Sequence, residues 1–327
     1  MNCVISMRSL QLTTLFSTLS LLGCTDDGGA DTTSTDAGTD DVGETDAGGS
    51  EAATSDAGEG AELGDTGDTG TTAETADASD TGEELPPFSF FVTSLRAMQE
   101  LSGSEQGFGG DLRFGEVGPG AGLRGADKIC AAIAEMSMPG ASAKQWRAFL
   151  SATADENGNV VHAIDRVGDG PWYDRLGRTF ALTRDDLLTE RPTNIDPAIE
   201  DDFPNEDGVP NHKPDPTQEE VDNHDTLTGT NENGQLYGAS STCLDWTSAE
   251  GDLETEGRPR VGHMWPRYGG PGMMGGDGSM ANWMSSLDEA GCAPGVNLIE
   301  MGPPIPGEVT VGSGGGYGAI YCFALTP

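Results

Sequence analysis

The chain has 327 residues, with 55 Asp plus Glu against 16 Lys plus Arg, and a formal net charge of −39. An excess of that size argues against nucleic acid, anionic lipid surfaces and polyanionic glycans as partners, because long-range repulsion opposes all three.

Met1 to Arg8 carries a single basic side chain, and Ser9 to Leu22 is rich in Leu and Thr but too short and too polar to span a membrane. Residues 1–23 therefore read as a secretion signal. The signal ends in Leu21-Leu22-Gly23-Cys24, which resembles the lipobox of bacterial lipoproteins, where the cysteine is acylated and becomes the new N-terminus. An ordinary signal peptide with an incidental cysteine is the alternative. The resemblance implies lipidation at Cys24, with lipid chains contributing about 0.8 kcal/mol per buried CH₂ to membrane attachment. Thr25 rather than Asp follows the cysteine, which by the same resemblance implies the outer membrane or cell surface.

Residues 24–87 hold 19 Asp and Glu and no Lys, Arg or aromatic residue, leaving about −20 for the remainder. Such a segment cannot bury enough apolar surface to offset its ordering entropy and is expected to be disordered. Its Asp-Thr-Gly triplets, starting at Asp65, Asp68 and Asp80, match the aspartic-protease signature in letters only. Paired catalytic carboxylates need apolar strands on both sides, and here the flanks are polar. As a random coil, roughly 60 residues span about 45 Å, more with charge repulsion, so the segment reads as a tether.

Residues 88–327 are long enough for one large domain or a compact domain with insertions. Phe90-Phe91-Val92-Thr93 predicts a strand. Gly120-Ala121-Gly122-Leu123-Arg124-Gly125 matches the G-x-G-x-x-G dinucleotide fingerprint and opens a predicted helix with Ile129, Ile133 and Met136 on one face. No buried-strand run precedes it between Arg113 and Pro119, and no βαβ alternation follows, so a nucleotide fold is not supported. Asp155-Glu156-Asn157-Gly158-Asn159 predicts a hairpin turn.

Of the six cysteines, Cys130, Cys243, Cys292 and Cys322 fall in this region, an even set that points to an oxidising compartment. Four cysteines allow three connectivities, and without a C-x₂₋₄-C pair a structural zinc site is not supported. Gly122-Leu123-Arg124-Gly125-Ala126-Asp127, Cys130 and Trp146-Arg147-Ala148-Phe149-Leu150-Ser151 resemble the start of the endostatin-like domain, the C-terminal module of collagens XV and XVIII. Cys243-Leu244-Asp245-Trp246, Gly291-Cys292 and Ile320-Tyr321-Cys322-Phe323 follow in the matching order. The resemblance covers roughly residues 90–327. It implies an α+β, C-type-lectin-like fold with short strands, one or two helices and long loops. It also implies the nested pairs Cys130–Cys322 and Cys243–Cys292, whose loops can contribute up to ~5 and ~4 kcal/mol on the chain-entropy model.

Several departures from that family matter. An acidic insertion at about 191–235 crowds Asp202, Asn205, Asp207, Asn211 and Asp215 together, and Asn205 to Asn211 resembles in part the calcium-binding type-3 repeats of thrombospondins. Calcium is thus the only cofactor with a candidate set, and a solvated acidic loop is the competing reading, because Phe203 stands where the first carboxylate belongs. The Glu-Pro-Asn, Gln-Pro-Asp and Trp-Asn-Asp motifs of sugar-binding C-type lectins are missing. Endostatin's zinc site uses N-terminal histidines and its heparin site an arginine cluster. This domain has no histidine before His162 and is strongly acidic, so neither ligand is assigned.

His162, His212, His224 and His263 are the only histidines, and neither H-E-x-x-H nor G-x-S-x-G occurs. His224, Asp225 and His263 can be imagined near a serine such as Ser279, but histidines beside Gly-rich loops are expected at turns or on the surface. Aromatic and Met residues on probable loops are the remaining ligand candidates: Trp172, Tyr173, Trp265, Tyr268, Met273 and Met274. Trp172, Trp246 and Trp283 are expected to cover the core instead. The sequence therefore reads as a monomeric, lipid-anchored binding or adhesion module without catalysis, for a glycan or protein ligand and not nucleic acid. A structural envelope protein and a secreted hydrolase are the alternatives.

Overall fold

The computed structural model describes residues 87–212, 222–266, 282–298 and 307–326. In chain order the elements are β1 (Phe90–Val92), α1 (Leu95–Ser102), α2 (Ala121–Ser137), β2 (Trp146–Ala148), α3 (Ala163–Arg166), β3 (Trp172–Tyr173) and β4 (Thr179–Ala181). They continue with α4 (Arg184–Leu187), β5 (Asp225–Leu227), α5 (Cys243–Trp246), β6 (Arg260–His263), β7 (Leu287–Asp288) and β8 (Gly316–Ala324). The architecture is mixed α and β, with few helices and small sheets. Among the described residues no helix is long and apolar enough to cross a membrane.

β8 organises the main sheet. Its sequence Gly-Tyr-Gly-Ala-Ile-Tyr-Cys-Phe-Ala carries no charge, and every position is buried, as a strand covered on both faces requires. β1 runs antiparallel to it, with Phe90 opposite Phe323. β2 pairs with its C-terminal end, Ala148 opposite Cys322, while β5 runs parallel to its earlier part, Leu227 opposite Ile320. β6 and β7 extend the sheet beyond β5.

Alternation along β8 separates two layers. Tyr321 and Phe323 enter an aromatic cluster with Phe90, Phe180, Phe203 and Trp283, in which most rings meet edge to face. Such pairs add about 0.5–1.5 kcal/mol each beyond the area they bury. Cys322 points the other way, toward α2, and is bonded to Cys130. The second bridge joins Cys243 in α5 to Cys292, so the structure contains the two pairs that the endostatin resemblance implies.

α2 explains the glycine motif. A side chain at Gly122 would overlap the carbonyls of Asp245 and Trp246, and one at Gly125 those of Leu112 and Arg113. Both glycines therefore serve close packing of the helix against neighbouring backbone. Ile129 and Ile133 are buried as expected, but Met136 is 40% exposed and Met138, just beyond the helix, takes the core position. The helix ends one residue before Met138, and the chain there turns extended and carries that side chain inward.

The hairpin turn at Asp155 forms, with Asp155 Oδ1 accepting the backbone N–H groups of Asn157 and Asn159 at 2.8 Å each. The described parts of the 191–235 segment, residues 191–212 and 222–235, contribute to the core and the sheet and do not form a solvated loop throughout. Ile195, Ile199 and Phe203 belong to the core, and β5 lies inside the sheet.

Candidate metal centre

The calcium candidates are brought to different partners. Asn205 Oδ1 accepts the backbone N–H groups of Asp207 and Val209 at 3.0 and 3.1 Å, a local turn that consumes its oxygen. Asp207 Oδ2 accepts from Arg96 at 3.2 Å, and Asp202 Oδ1 from the backbone N–H of His212 at 2.9 Å. The Asn211 amide donates to the Tyr317 hydroxyl at 2.6 Å. Asp202, Asn205, Asp207 and Asn211, the calcium candidates, are thus each engaged with a separate partner of the fold. Asp215 lies outside the described residues.

The aromatic candidates Trp265 and Trp172 are corrected by their burial. Trp265 is only 7% exposed, donates Nε1–H to Asn223 Oδ1 at 2.9 Å, and stacks on His212 with ring centroids 3.9 Å apart. Trp172 is buried against Phe323, and Tyr173 is half-buried in β3. Trp246 and Trp283 are buried too, as expected. Neither Trp172 nor Trp265 offers a surface for a ligand. Tyr268, Met273, Met274, Ser279 and Cys24 lie outside the described residues.

What the structure does assemble is a cluster around His224, Asp225 and His263. Asp225 and His263 are opposite each other in the antiparallel register of β5 and β6, so both side chains project from the same face of the sheet. His224 precedes β5 by one residue, where strand alternation does not force it to the opposite face. Nε2 of His263 lies 3.1 Å and Nε2 of His224 3.4 Å from the same atom, Asp225 Oδ1. The two imidazoles meet edge to face with centroids 4.3 Å apart. All three residues are buried, against the expectation of surface histidines, because the sheet and the chain preceding β8 enclose them.

The other ring nitrogens have their own partners. His224 Nδ1 pairs with Asp222 Oδ1 at 2.5 Å, and His263 Nδ1 with Ser286 Oγ at 3.2 Å. Glu289, fully buried, places Oε2 on the backbone N–H groups of Ala290 and Gly314 at 3.1 and 2.9 Å. Burial, reinforced by the neighbouring Asp225 carboxylate, pushes the Glu289 carboxyl well above the usual carboxylate range. Gly314 is a requirement of this packing, since a Cβ there would lie 2.6 Å from Asp225 Oδ2 and 3.2 Å from Glu289 Oε2.

Donor atoms of two imidazoles and one carboxylate lie within 4.8 Å of one another. This set can ligate a transition-metal ion or form a hydrogen-bonded polar core. The sequence places these three residues together only as a set near Ser279 and not as metal ligands, because register between strands distant in the chain creates the shared point at Asp225 Oδ1. Comparison with protein-family models and with curated proteins gives no match.

Proposed function

We propose that this chain is an exported lipoprotein that displays a non-catalytic binding module, of the endostatin-like, C-type-lectin-like kind, on an acidic tether at the outer membrane or cell surface. The observation that carries this reading is the nested disulfide frame. Cys130–Cys322 ties α2 to β8 and Cys243–Cys292 closes the loop-rich half, in the order the resemblance implies. Two such bridges suit a protein that works outside a reducing compartment.

A groove of about 600 Å³ beside α2 is the surface we assign to the ligand. Four of the 16 Lys and Arg residues line it: Arg124, Lys128, Arg147 and Arg166. Glu116 bridges Arg124 and Lys128 at 3.1 and 2.9 Å, and Asp127 holds Arg166 at 2.8 Å and Arg147 at 3.7 Å. With Asp155 and Glu156 the wall is charge-balanced, unlike the acidic chain around it. Ligands of either sign can approach such a surface without the repulsion that the net charge imposes elsewhere.

The test is a binding screen of the Cys24→Ser chain, disulfides intact, against arrayed glycans, extracellular proteins and envelope extract, with and without calcium. Binding that weakens in Lys128→Gln/Arg147→Gln supports the assignment. Each substitution leaves its carboxylate a second cation, Arg124 for Glu116 and Arg166 for Asp127, so the fold should persist. No binding to any member of the panel would sink the adhesion reading.

A further inference from the structure

We propose that His224, Asp225 and His263 bind one divalent transition-metal ion, and that zinc is the ion their donors favour. The proposal does not rest on the ligand-binding reading above. It is also separate from the N-terminal zinc site of endostatin, whose histidines this chain lacks.

Donor chemistry comes first. Two imidazole nitrogens and one carboxylate oxygen form a borderline set that suits zinc and its first-row neighbours. Calcium seeks six to eight oxygens and magnesium retains an octahedral shell of oxygen and water, so neither fits a site with two imidazoles.

Two of the three donor–donor edges agree with a metal shell, and the third is within 4.8 Å. In a tetrahedral zinc site with bonds of about 2.0–2.1 Å, neighbouring donor atoms stand about 3.3 Å apart. Here the edges from Asp225 Oδ1 to the two Nε2 atoms are 3.1 and 3.4 Å. The longer edge is outside the usual N–H···O range, whereas both lie close to the tetrahedral edge. Both histidines present the same nitrogen, Nε2, to this point.

Outer partners reinforce the assignment. A metal-bound histidine characteristically engages its second nitrogen with a carboxylate, a carbonyl or a hydroxyl, which fixes the ring orientation. Asp222 does this for His224 and Ser286 for His263. On the far side of Asp225, Glu289 is held by two backbone N–H groups beside Oδ2, as an outer carboxyl supporting a ligating one.

The charge pattern points the same way. Asp222, Asp225 and Glu289 place three carboxyl groups in one space at 1%, 1% and 0% exposure. Three carboxyl groups this close together favour a cation among them, and a divalent ion on Asp225 would sit within direct bonding reach of one of them. Three protein ligands leave a fourth position for water or a ligand atom. Because Asp225 opens β5, His224 precedes it and His263 ends β6, the ion would tie these two strands together.

The experiment uses the Cys24→Ser chain with both disulfides intact, stripped with chelator and then given zinc sulfate, cobalt chloride or calcium chloride. The expected result is one zinc per chain after gel filtration, a rise in Tm with zinc but not calcium, and the intense visible bands of four- or five-coordinate cobalt. Asp225→Asn and His263→Gln should each abolish stoichiometric binding. As either can perturb folding, Ser286→Ala provides a milder variant, expected to weaken zinc about 10-fold or more with an unchanged circular dichroism spectrum. The proposal is overturned if the folded chain retains no zinc and cobalt keeps the spectrum of its hydrated ion. It is equally overturned if folded Asp225→Asn and His263→Gln bind zinc as the parent does, which would place the ion on the acidic N-terminal segment, or if calcium stabilises in place of zinc.

Discussion

Asp225 and His263 face each other across β5 and β6, with the imidazole Nε2 3.1 Å from a carboxylate oxygen and both side chains out of contact with solvent. A hydrogen bond to a charged group contributes about 1.5–3 kcal/mol. His263→Gln measured in chelator, which keeps the Asp225 carboxylate beside Asp222 and Glu289 and removes the imidazole, should lose stability on this scale in urea unfolding. A change below about 0.5 kcal/mol, the level of an ordinary surface substitution, would mean that the pair contributes nothing to the apo fold.

Close packing of α2 gives a second expectation. Gly122→Ala and Gly125→Ala each press a methyl group into the backbone of a neighbouring segment, and overpacking of this kind costs about 1–3 kcal/mol. Gly238→Ala, where the nearest atom to a Cβ is Ser241 Oγ at 3.6 Å, is the control and should stay near neutral. Equal unfolding midpoints for all three would refute the packing account of the motif.

The bridges should be unequal. They close loops with sequence separations of 192 and 49 residues, which on the chain-entropy model makes the outer one more stabilising by about 1 kcal/mol. Replacing Cys130 and Cys322 by Ala should therefore lower stability more than replacing Cys243 and Cys292. Non-reducing peptide mapping that joins Cys130 to Cys243 would contradict the frame itself.

Glu206 carries a pH dependence. Burial raises its carboxyl above the ordinary value of 4.5, against the opposing effect of the Ser94 hydroxyl and N–H that donate to it at 2.6 and 3.0 Å. A raised folded-state value means that the protonated form favours folding. This contribution is complete below the unfolded value and disappears as pH rises through the folded one. Glu206→Gln keeps an acceptor for Ser94 without the charge. Its stability relative to the parent should improve as pH is raised from 4 toward neutrality, and a constant difference across that range would rule the mechanism out.

Lipidation has a direct readout. Cys24→Ser should move the protein from the membrane pellet to the soluble fraction, and an unchanged distribution would remove the anchor from the proposed function.

Features fixed by local chemistry were legible in the sequence. The Phe-Phe-Val run forms β1, Asp155 to Asn159 forms its turn, and Ile129 and Ile133 mark the buried face of α2. Features that depend on what neighbours consume were not. The side chains between Asp202 and Asn211 look like a calcium loop in one dimension, yet in three Asp202 and Asn205 accept backbone N–H groups, Asp207 accepts from Arg96, and Asn211 donates its amide to Tyr317. Trp265 follows β6 closely enough to be carried inward with it, which composition of the Gly- and Met-rich stretch beyond could not indicate. The histidine cluster was hidden for a topological reason: its members meet through the β5 and β6 register, and no spacing along the chain encodes that.

The position of Cys130 and Cys322 also has a mechanical consequence for a domain held by its N-terminal side. When the domain is pulled between Phe88 and Thr326, tension that passes Cys130 crosses directly to Cys322, so everything between them is shielded from load. Only β1, α1, the first part of α2 and the last few residues can pay out, roughly 150 Å at full extension of about 45 residues. Under reducing conditions the whole domain becomes extensible, roughly 800 Å by the same estimate. The outer bridge thus limits how far a tethered load can draw the domain open before it meets a covalent stop.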